Sequence, residues 1–157
     1  MKEIHYTRGD ATEPIASKNK IVCHICNDAG FWGRGFVLAI SSRWPEPEKA
    51  FRSWYQDRNM NDYGLGNTQF VQVSDDIWIA NMIGQSGIQK KGNLPPIRYE
   101  AVRSALSMVQ EKATELKASI HMPRIGCGLA GGNWGRIEPI IKEQLSNHDI
   151  RVTVYDF

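Results

Sequence analysis

A glycine-rich loop near the carboxyl end of the chain constrains the fold more than any other feature. Residues 122–134, MPRIGCGLAGGNW, end a strand-like run and stand just before a helical pattern. Glycines allow positive φ and a close approach to the main chain, so backbone N–H groups can point at a phosphate, and the dipole of the next helix adds to the attraction. The segment predicts a strand, a phosphate-binding loop and a helix; a tight turn without a ligand is the alternative.

The same glycines match the dinucleotide fingerprint G-x-G-x-x-G from Gly126 to Gly131. That fingerprint opens a βαβ unit and is followed by an acidic residue about 20 positions further on. Only about 25 residues follow Gly132, which one helix and one strand use up. The position disfavours an NAD-dependent oxidoreductase, and we expect no cofactor.

Length and composition indicate one globular domain over residues 1–157. A chain of 157 residues can bury a full core, and 41% hydrophobic with 23% charged residues is ordinary for such domains. The net charge of +2 is too small to indicate specific nucleic-acid binding. The start of the chain has no apolar signal region and no window approaches 18 apolar residues, so we expect a cytoplasmic monomer that does not contact membranes.

The three cysteines do not indicate a disulfide framework or a metal site. Cys23 and Cys26 form a C-x-x-C, but the run around them, residues 20–27, reads as a buried strand. A strand would put the two sulfurs on opposite faces and roughly 10 Å apart, which a disulfide cannot span. No second cysteine pair accompanies Cys127 to complete a zinc site, so we predict no metal.

The remaining patterns alternate between strands and helices. Apolar runs and alternation predict strands at 3–7, 20–27, 69–73, 77–83, 119–125 and 151–155. Helical spacing predicts helices at 37–43, from Pro47, at 97–116, and around Ile137 to Leu145. The segments 69–73 and 77–83 are close enough to form an antiparallel hairpin. This order predicts an α/β protein with three layers, α/β/α, and a mixed, largely parallel sheet.

Three polar glycine segments follow predicted strands: 9–10, 27–35 and 126–132. In parallel sheets ligands bind at the carboxyl ends of strands, so the three segments predict a site for a phosphorylated ligand.

Several side chains at this edge could bind such a ligand. Asp10 can accept from the amine of adenine, and Asn27 can bind ribose hydroxyls, although each could instead cap a turn. His24 is either a core histidine or a group that reaches the site. Phe31 and Trp32 either cover a base or ribose or anchor the loop in the core.

Four segments, in this order and spread over nearly the whole chain, resemble those of macrodomains. They are GDAT from Gly9, CHICNDAGFWGRG from Cys23, IANMIGQ from Ile79 and MPRIGCGLAGG from Met122. The branch that the chain most resembles includes the terminal ADP-ribose protein glycohydrolases and the ADP-ribose-1''-phosphate phosphatases.

The resemblance implies that the chain binds ADP-ribose. It assigns the adenine amine to Asp10 and the distal ribose to Asn27, and it includes Ala11 among the ligand-binding residues. The ribose and diphosphate would contact Gly33, Arg34, Gly35 and Phe36, and the diphosphate would also contact Gly126, Cys127, Gly128, Leu129 and Ala130. The implied partners are ADP-ribose, ADP-ribose-1''-phosphate and ADP-ribosylated protein.

The catalytic residues that the resemblance implies are His24, Asn27 and Lys90. The glycohydrolase members pair an aspartate with a lysine, but Ala130 stands at the aspartate position here. Counting back from Tyr99 puts Lys90 at the lysine position, whereas alignment on the preceding strand puts Gly84 or Gln85 there. The phosphatase-like members carry a His-x-Cys-Asn segment, which matches the segment from His24 to Asn27. We therefore expect a hydrolase of ADP-ribose derivatives in which His24 assists proton transfer or stabilises the leaving group, with a non-catalytic ADP-ribose reader as the alternative.

Overall fold

A computed structural model describes residues 2–157, in which six strands form one sheet. The strands are β1 (His5–Arg8), β2 (Lys20–Asn27), β3 (Thr68–Ser74), β4 (Ile77–Gln85), β5 (Ser119–Met122) and β6 (Val152–Asp156). Their order in the sheet is β1-β6-β5-β2-β4-β3. Every neighbouring pair is parallel except β3 and β4, which form the predicted antiparallel hairpin.

Four helices cover the two faces of the sheet. They are α1 (Phe36–Arg43), α2 (Glu46–Gln56), α3 (Tyr99–Leu116) and α4 (Trp134–Gln144). The buried side chains of α1 and α2 share one core cluster, and those of α3 and α4 share the other. The predicted three-layer α/β/α architecture is therefore confirmed. Within residues 2–157, no helix is both long enough and apolar enough to cross a membrane.

Strand β2 contributes to both cores. Its even-numbered side chains Val22, His24 and Cys26 lie on the α1 and α2 face, whereas Cys23 belongs to the core on the α3 and α4 face. Alternation along a strand explains this division. It also confirms that the two cysteines of the C-x-x-C lie on opposite faces of the sheet.

Two boundaries near the phosphate loop differ from the sequence predictions. Strand β5 ends at Met122, three residues before the predicted end, because Pro123 has no N–H to continue a ladder. Helix α3 begins at Tyr99, two residues after the predicted start. The N–H of Ile97 instead donates to the carbonyl of Ala130, and the N–H of Arg98 donates to the carbonyl of Gly84. These two bonds attach the phosphate loop and the end of β4 to the start of α3.

Candidate functional site

Two adjoining cavities lie at the carboxyl ends of β2, β4 and β5. Cavity 1, of about 220 Å³, lies between the segment 34–37 and the glycine loop 123–130. Cavity 2, of about 420 Å³, extends from there past Asn27 and Phe31 to residues 88 and 89. The side chains of Ile25, Arg34, Val37, Gln85 and Leu129 line both cavities, so the two form one continuous crevice.

The glycine loop bounds cavity 1 on one side. Gly126 has φ of 73°, and a Cβ on it would lie 2.7 Å from Ile97 Cδ1 and 2.9 Å from Ile137 Cδ1, so only glycine fits. The N–H of Gly132 donates to the carbonyl of Gly126 and closes the loop. Among the described residues, the N–H groups of Gly128, Leu129 and Ala130 have no acceptor, and all three residues line cavity 1.

The start of α1 bounds the same cavity on the other side. Gly35 caps the helix with φ of 78° and provides no side-chain hydrogen bond to its first turn. Within residues 2–157, the N–H groups of Gly33, Arg34, Gly35 and Phe36 also find no acceptor. Two groups of unpaired amides therefore flank one crevice, an arrangement that attracts an anion.

The side chain of Asn27 shapes the loop that leads to α1. Its Oδ1 accepts from the N–H of Ala29 and of Phe31, both at 3.0 Å, and its Nδ2 donates to the carbonyl of Phe31 at 2.8 Å. The Tyr63 hydroxyl accepts from the N–H of Gly30 and donates to the carbonyl of Asn27. Asn27 lines cavity 2, but its side-chain amide forms hydrogen bonds within the turn. Capping a turn was the alternative role predicted for this residue.

His24 lines cavity 1 although it is only 2% exposed. Its Nε2 lies 2.5 Å from Asn81 Oδ1, and its ring packs against the rings of Trp32 and Phe36 at 5.4 Å and 6.1 Å between centroids. Burial lowers the pKa of His24 to about 4, and the bond to Asn81 opposes that shift. The ring is therefore both a core side chain and a neutral group at the wall of the cavity.

Arginines are the only charged side chains that line the crevice within residues 2–157. Arg34 and Arg124 line cavity 1, and Arg34 and Arg52 line cavity 2. Arg124 forms two bonds to Asp156, at 2.7 Å and 3.1 Å, and lies over the rings of Tyr6 and Trp134. Arg34 forms no ion pair with a described residue. Sequence reasoning assigned no role to Arg124, Arg52 or Gln85, although Arg124 and Gln85 stand inside motifs that were recognised.

Four of the predicted site residues do not line either cavity: Asp10, Ala11, Lys90 and Cys127. Asp10 Oδ1 accepts hydrogen bonds from the N–H and the hydroxyl of Thr12, so Asp10 caps a turn, which was its alternative predicted role. Its Oδ2 lies 3.7 Å from Arg43 Nη2. Lys90 is exposed in the loop after β4, next to Gln89, which does line cavity 2. Their roles remain predictions.

The two aromatic residues of the 30–35 loop have different environments. Trp32 is buried and its Nε1 donates to Ser41 Oγ at 2.8 Å, which makes it the core anchor of the loop. Phe31 is 56% exposed and lines cavity 2, so it remains available to cover a ligand.

The cysteines offer no nucleophile at neutral pH. Burial raises the pKa of both Cys23 and Cys26, and burial also raises the pKa of Cys127. In the described part of the chain, no group of three His, Cys, Asp or Glu side chains could hold a metal ion.

Comparison with known proteins finds relatives among curated proteins and solved structures. No protein-family profile matches the chain. The ADP-ribose 1''-phosphate phosphatase of Candida albicans is 28% identical over 148 residues, which is 89% of this chain and 92% of that protein. The chromodomain-helicase-DNA-binding protein 1-like of Danio rerio is 32% identical over 97% of this chain, but the chain spans only 15% of that protein's length.

A solved structure shows the family. A macrodomain protein from Streptomyces coelicolor superposes with a TM-score of 0.90. It shares 55% identity with this chain, and the match covers 99% of each. Identity at that level along both chains shows that this chain belongs to the macrodomain family.

Proposed function

We propose that the protein binds ADP-ribose in the crevice and hydrolyses a bond at the distal ribose of an ADP-ribose derivative. The observation that carries this proposal is the pair of unpaired amide groups, 33–36 and 128–130, on the two sides of one crevice. The phosphatase from Candida albicans, which matches most of this chain, supports the choice of ligand and reaction.

The chemistry of the crevice suits a diphosphate. Backbone N–H groups hold phosphate oxygens without the desolvation cost of a buried ammonium group, and the open N-terminus of α1 adds its dipole. Arg34 supplies a positive charge at the same wall. Among the described residues, no carboxylate lines either cavity, so nothing there repels the two negative charges.

The two cavities adjoin, so the ligand can be divided between them. With the diphosphate between the two amide groups in cavity 1, one ribose extends into cavity 2, beside Asn27, Phe31 and Gln85. The segment 27–31 is held in place by Asn27 and Tyr63, so this ribose meets a wall that is already formed.

For hydrolysis, His24 is the lining group that can take a proton. Burial raises the pKa of the Cys26 thiol, so that thiol keeps its proton at neutral pH, whereas burial lowers the pKa of His24 to about 4 and leaves its ring neutral. A neutral imidazole can take a proton from water as the water attacks, which is the usual task of a general base. ADP-ribose and the released group, phosphate in the case of a 1''-phosphate, are then the products.

A reader that binds ADP-ribose without turnover is the second candidate. It is favoured by Ala130 at the position of the glycohydrolase aspartate and by the low exposure of His24. Binding alone requires only the amide groups and Arg34.

Two measurements test the proposal. Calorimetry should detect ADP-ribose binding and much weaker NAD binding, because a nicotinamide on the distal ribose clashes with the loop 30–35. Incubation with ADP-ribose-1''-phosphate, O-acetyl-ADP-ribose and ADP-ribosylated glutamate then asks which substrate is consumed. No heat with ADP-ribose, or equal affinity for NAD, rejects the proposed ligand. Binding of ADP-ribose without turnover of any of the three substrates would support the non-catalytic reader.

Several finer points remain part of the proposal. Residues 1–157 would act as one macrodomain, as a monomer in the cytoplasm, with ADP-ribosylated protein as a further substrate. Light scattering of the purified chain measures its oligomeric state.

A further inference from the structure

A row of polar side chains crosses the sheet beneath α1 and α2. His24 in β2 is in register with Asn81 in β4, and Asn81 is in register with Gln69 in β3. Asn81 is 0% exposed, and the core on this face is otherwise apolar. Buried polar groups are costly unless each donor meets an acceptor, so the direction of every hydrogen bond in the row can be worked out.

Carbonyl groups of α2 fix the orientation of both amides. Gln69 Nε2 donates to the carbonyl of Ala50 at 3.0 Å, which leaves Gln69 Oε1 to accept from Asn81 Nδ2 at 3.0 Å. Asn81 Nδ2 also donates to the carbonyl of Pro47 at 3.2 Å. The opposite orientation of the Asn81 amide would set its oxygen against two other oxygens, so Asn81 Oδ1 is the atom that faces His24.

This orientation decides which nitrogen of His24 carries the proton. Asn81 Oδ1 can only accept a hydrogen bond, and it lies 2.5 Å from His24 Nε2. Nε2 must therefore be the donor. Because burial lowers the pKa of His24 to about 4, the ring carries a single proton at neutral pH, and Nδ1 holds a lone pair.

The surroundings of His24 offer that lone pair no strong donor. The sulfur of Cys26 lies 3.9 Å from Nδ1 and 3.8 Å from Nε2, so its thiol is only a weak hydrogen-bond partner that the two nitrogens share. The other ring neighbours are Trp32 and Phe36, and the charged side chains that line the same cavity are Arg34 and Arg124. In the described part of the chain, no carboxylate competes for the ring.

We propose that Asn81 is a positioning residue that holds His24 as the Nε2–H tautomer, so that Nδ1 is the proton acceptor in the hydrolysis. The proposal rests on the function proposed above and makes it more specific, since it assigns His24 the role of base and excludes that of initial acid. Nδ1 takes one proton from the attacking water while the water oxygen bonds to the electrophilic atom at the distal ribose. The leaving group departs with the electron pair of the broken bond, and the imidazolium then gives its extra proton to that leaving group, which restores the neutral ring.

Nitrogen NMR of the protein labelled with ¹⁵N-histidine tests the tautomer directly, without any substrate. The spectrum of His24, assigned by its loss in His24→Gln, should show a protonated Nε2 and an unprotonated Nδ1 from pH 8 down to pH 5. A protonated Nδ1, or a doubly protonated ring at pH 6, would overturn the proposal. Calorimetry with ADP-ribose on the same sample tests the proposed function separately. A wrong tautomer would therefore not reject ADP-ribose binding, and a lack of binding would not reject the tautomer.

Substitutions at Asn81 then link the tautomer to turnover. Asn81→Leu removes the acceptor, so the NMR spectrum should show a mixture of tautomers and kcat should fall by at least tenfold, while the Kd for ADP-ribose changes by less than threefold. Gln69→Leu is the matched control: Asn81 keeps the carbonyl of Pro47 as acceptor, so the tautomer and kcat should stay within threefold of the parent.

Asn81→Ala removes the same acceptor without adding bulk and covers the case in which Asn81→Leu does not fold. Its spectrum should again show a mixture of tautomers, and kcat should again fall by at least tenfold. An unchanged tautomer and an unchanged kcat in both Asn81 variants would refute the positioning role.

Discussion

Replacement of Gly128 by glutamate tests whether the loop 126–132 binds a diphosphate. Gly128 lines cavity 1 and belongs to one of the two groups of unpaired amides, and a Cβ built on it meets nothing within 4 Å. The new side chain therefore fits without a steric cost to the fold, and it adds a negative charge beside the region that the phosphates would occupy.

The expected loss follows from charge repulsion. Two like charges about 5 Å apart repel by about 3 kcal/mol at an effective dielectric constant of about 20. That corresponds to roughly a hundredfold increase in the Kd for ADP-ribose. The loss should shrink at high salt, because part of the crevice is open to solvent.

Calorimetry on Gly128→Glu and Gly128→Gln separates charge from size. Glutamine has the shape of glutamate without the charge, so Gly128→Gln should lose less than about tenfold. Both variants should melt within a few degrees of the parent, which confirms that they fold. A Kd within threefold of the parent for a folded Gly128→Glu would mean that the loop is only a turn, and equal losses in the two variants would mean that size alone blocks the site.

Four further outcomes follow from the site. His24→Ala should lower turnover of ADP-ribose-1''-phosphate by roughly a hundredfold with little change in ADP-ribose affinity; a normal rate would remove His24 from catalysis. Asn27→Ala breaks three hydrogen bonds of the 27–31 turn, so calorimetry and rates should show that binding and turnover both weaken; loss of turnover alone would contradict this. Lys90→Ala should leave turnover within twofold, because Lys90 lines neither cavity; a large loss would support lysine-assisted glycohydrolysis. Burial holds the pKa of His24 and of His121 at about 4, below the usual value of about 6.5 in the unfolded chain. The free energy of unfolding is therefore highest above pH 6.5 and decreases as the pH falls towards 4, where the unfolded chain binds protons that the folded state does not. Urea unfolding should show about 2 kcal/mol lost per histidine by pH 5, whereas a flat profile between pH 7.5 and pH 5 would refute the shifts.

The sequence by itself determined the type and order of the elements. Apolar periodicity and the glycine segments are local signals, and they predicted the strands, the hairpin and the three layers that the structure contains. Local signals also predicted that the glycine loop 126–132 would follow a strand and precede a helix. The predicted element boundaries differ from the observed ones where tertiary hydrogen bonds compete with helix formation. At Ile97, for example, the N–H donates to the carbonyl of Ala130.

Only the tertiary structure decided which side chains meet. Because β5 lies beside β2, residues 34–36 and 128–130 meet at one cavity, although about 90 residues separate them in the chain. The pairing of His24 with Asn81 depends on the register of β2 against β4, and the orientation of Asn81 depends on a carbonyl of α2. Whether a segment forms a helix or a strand depends mainly on residues close by in the chain. The hydrogen-bond partner of a side chain, its pKa and the exposure of Lys90 depend instead on which strands and loops lie next to each other, and the sequence pattern does not give that pairing.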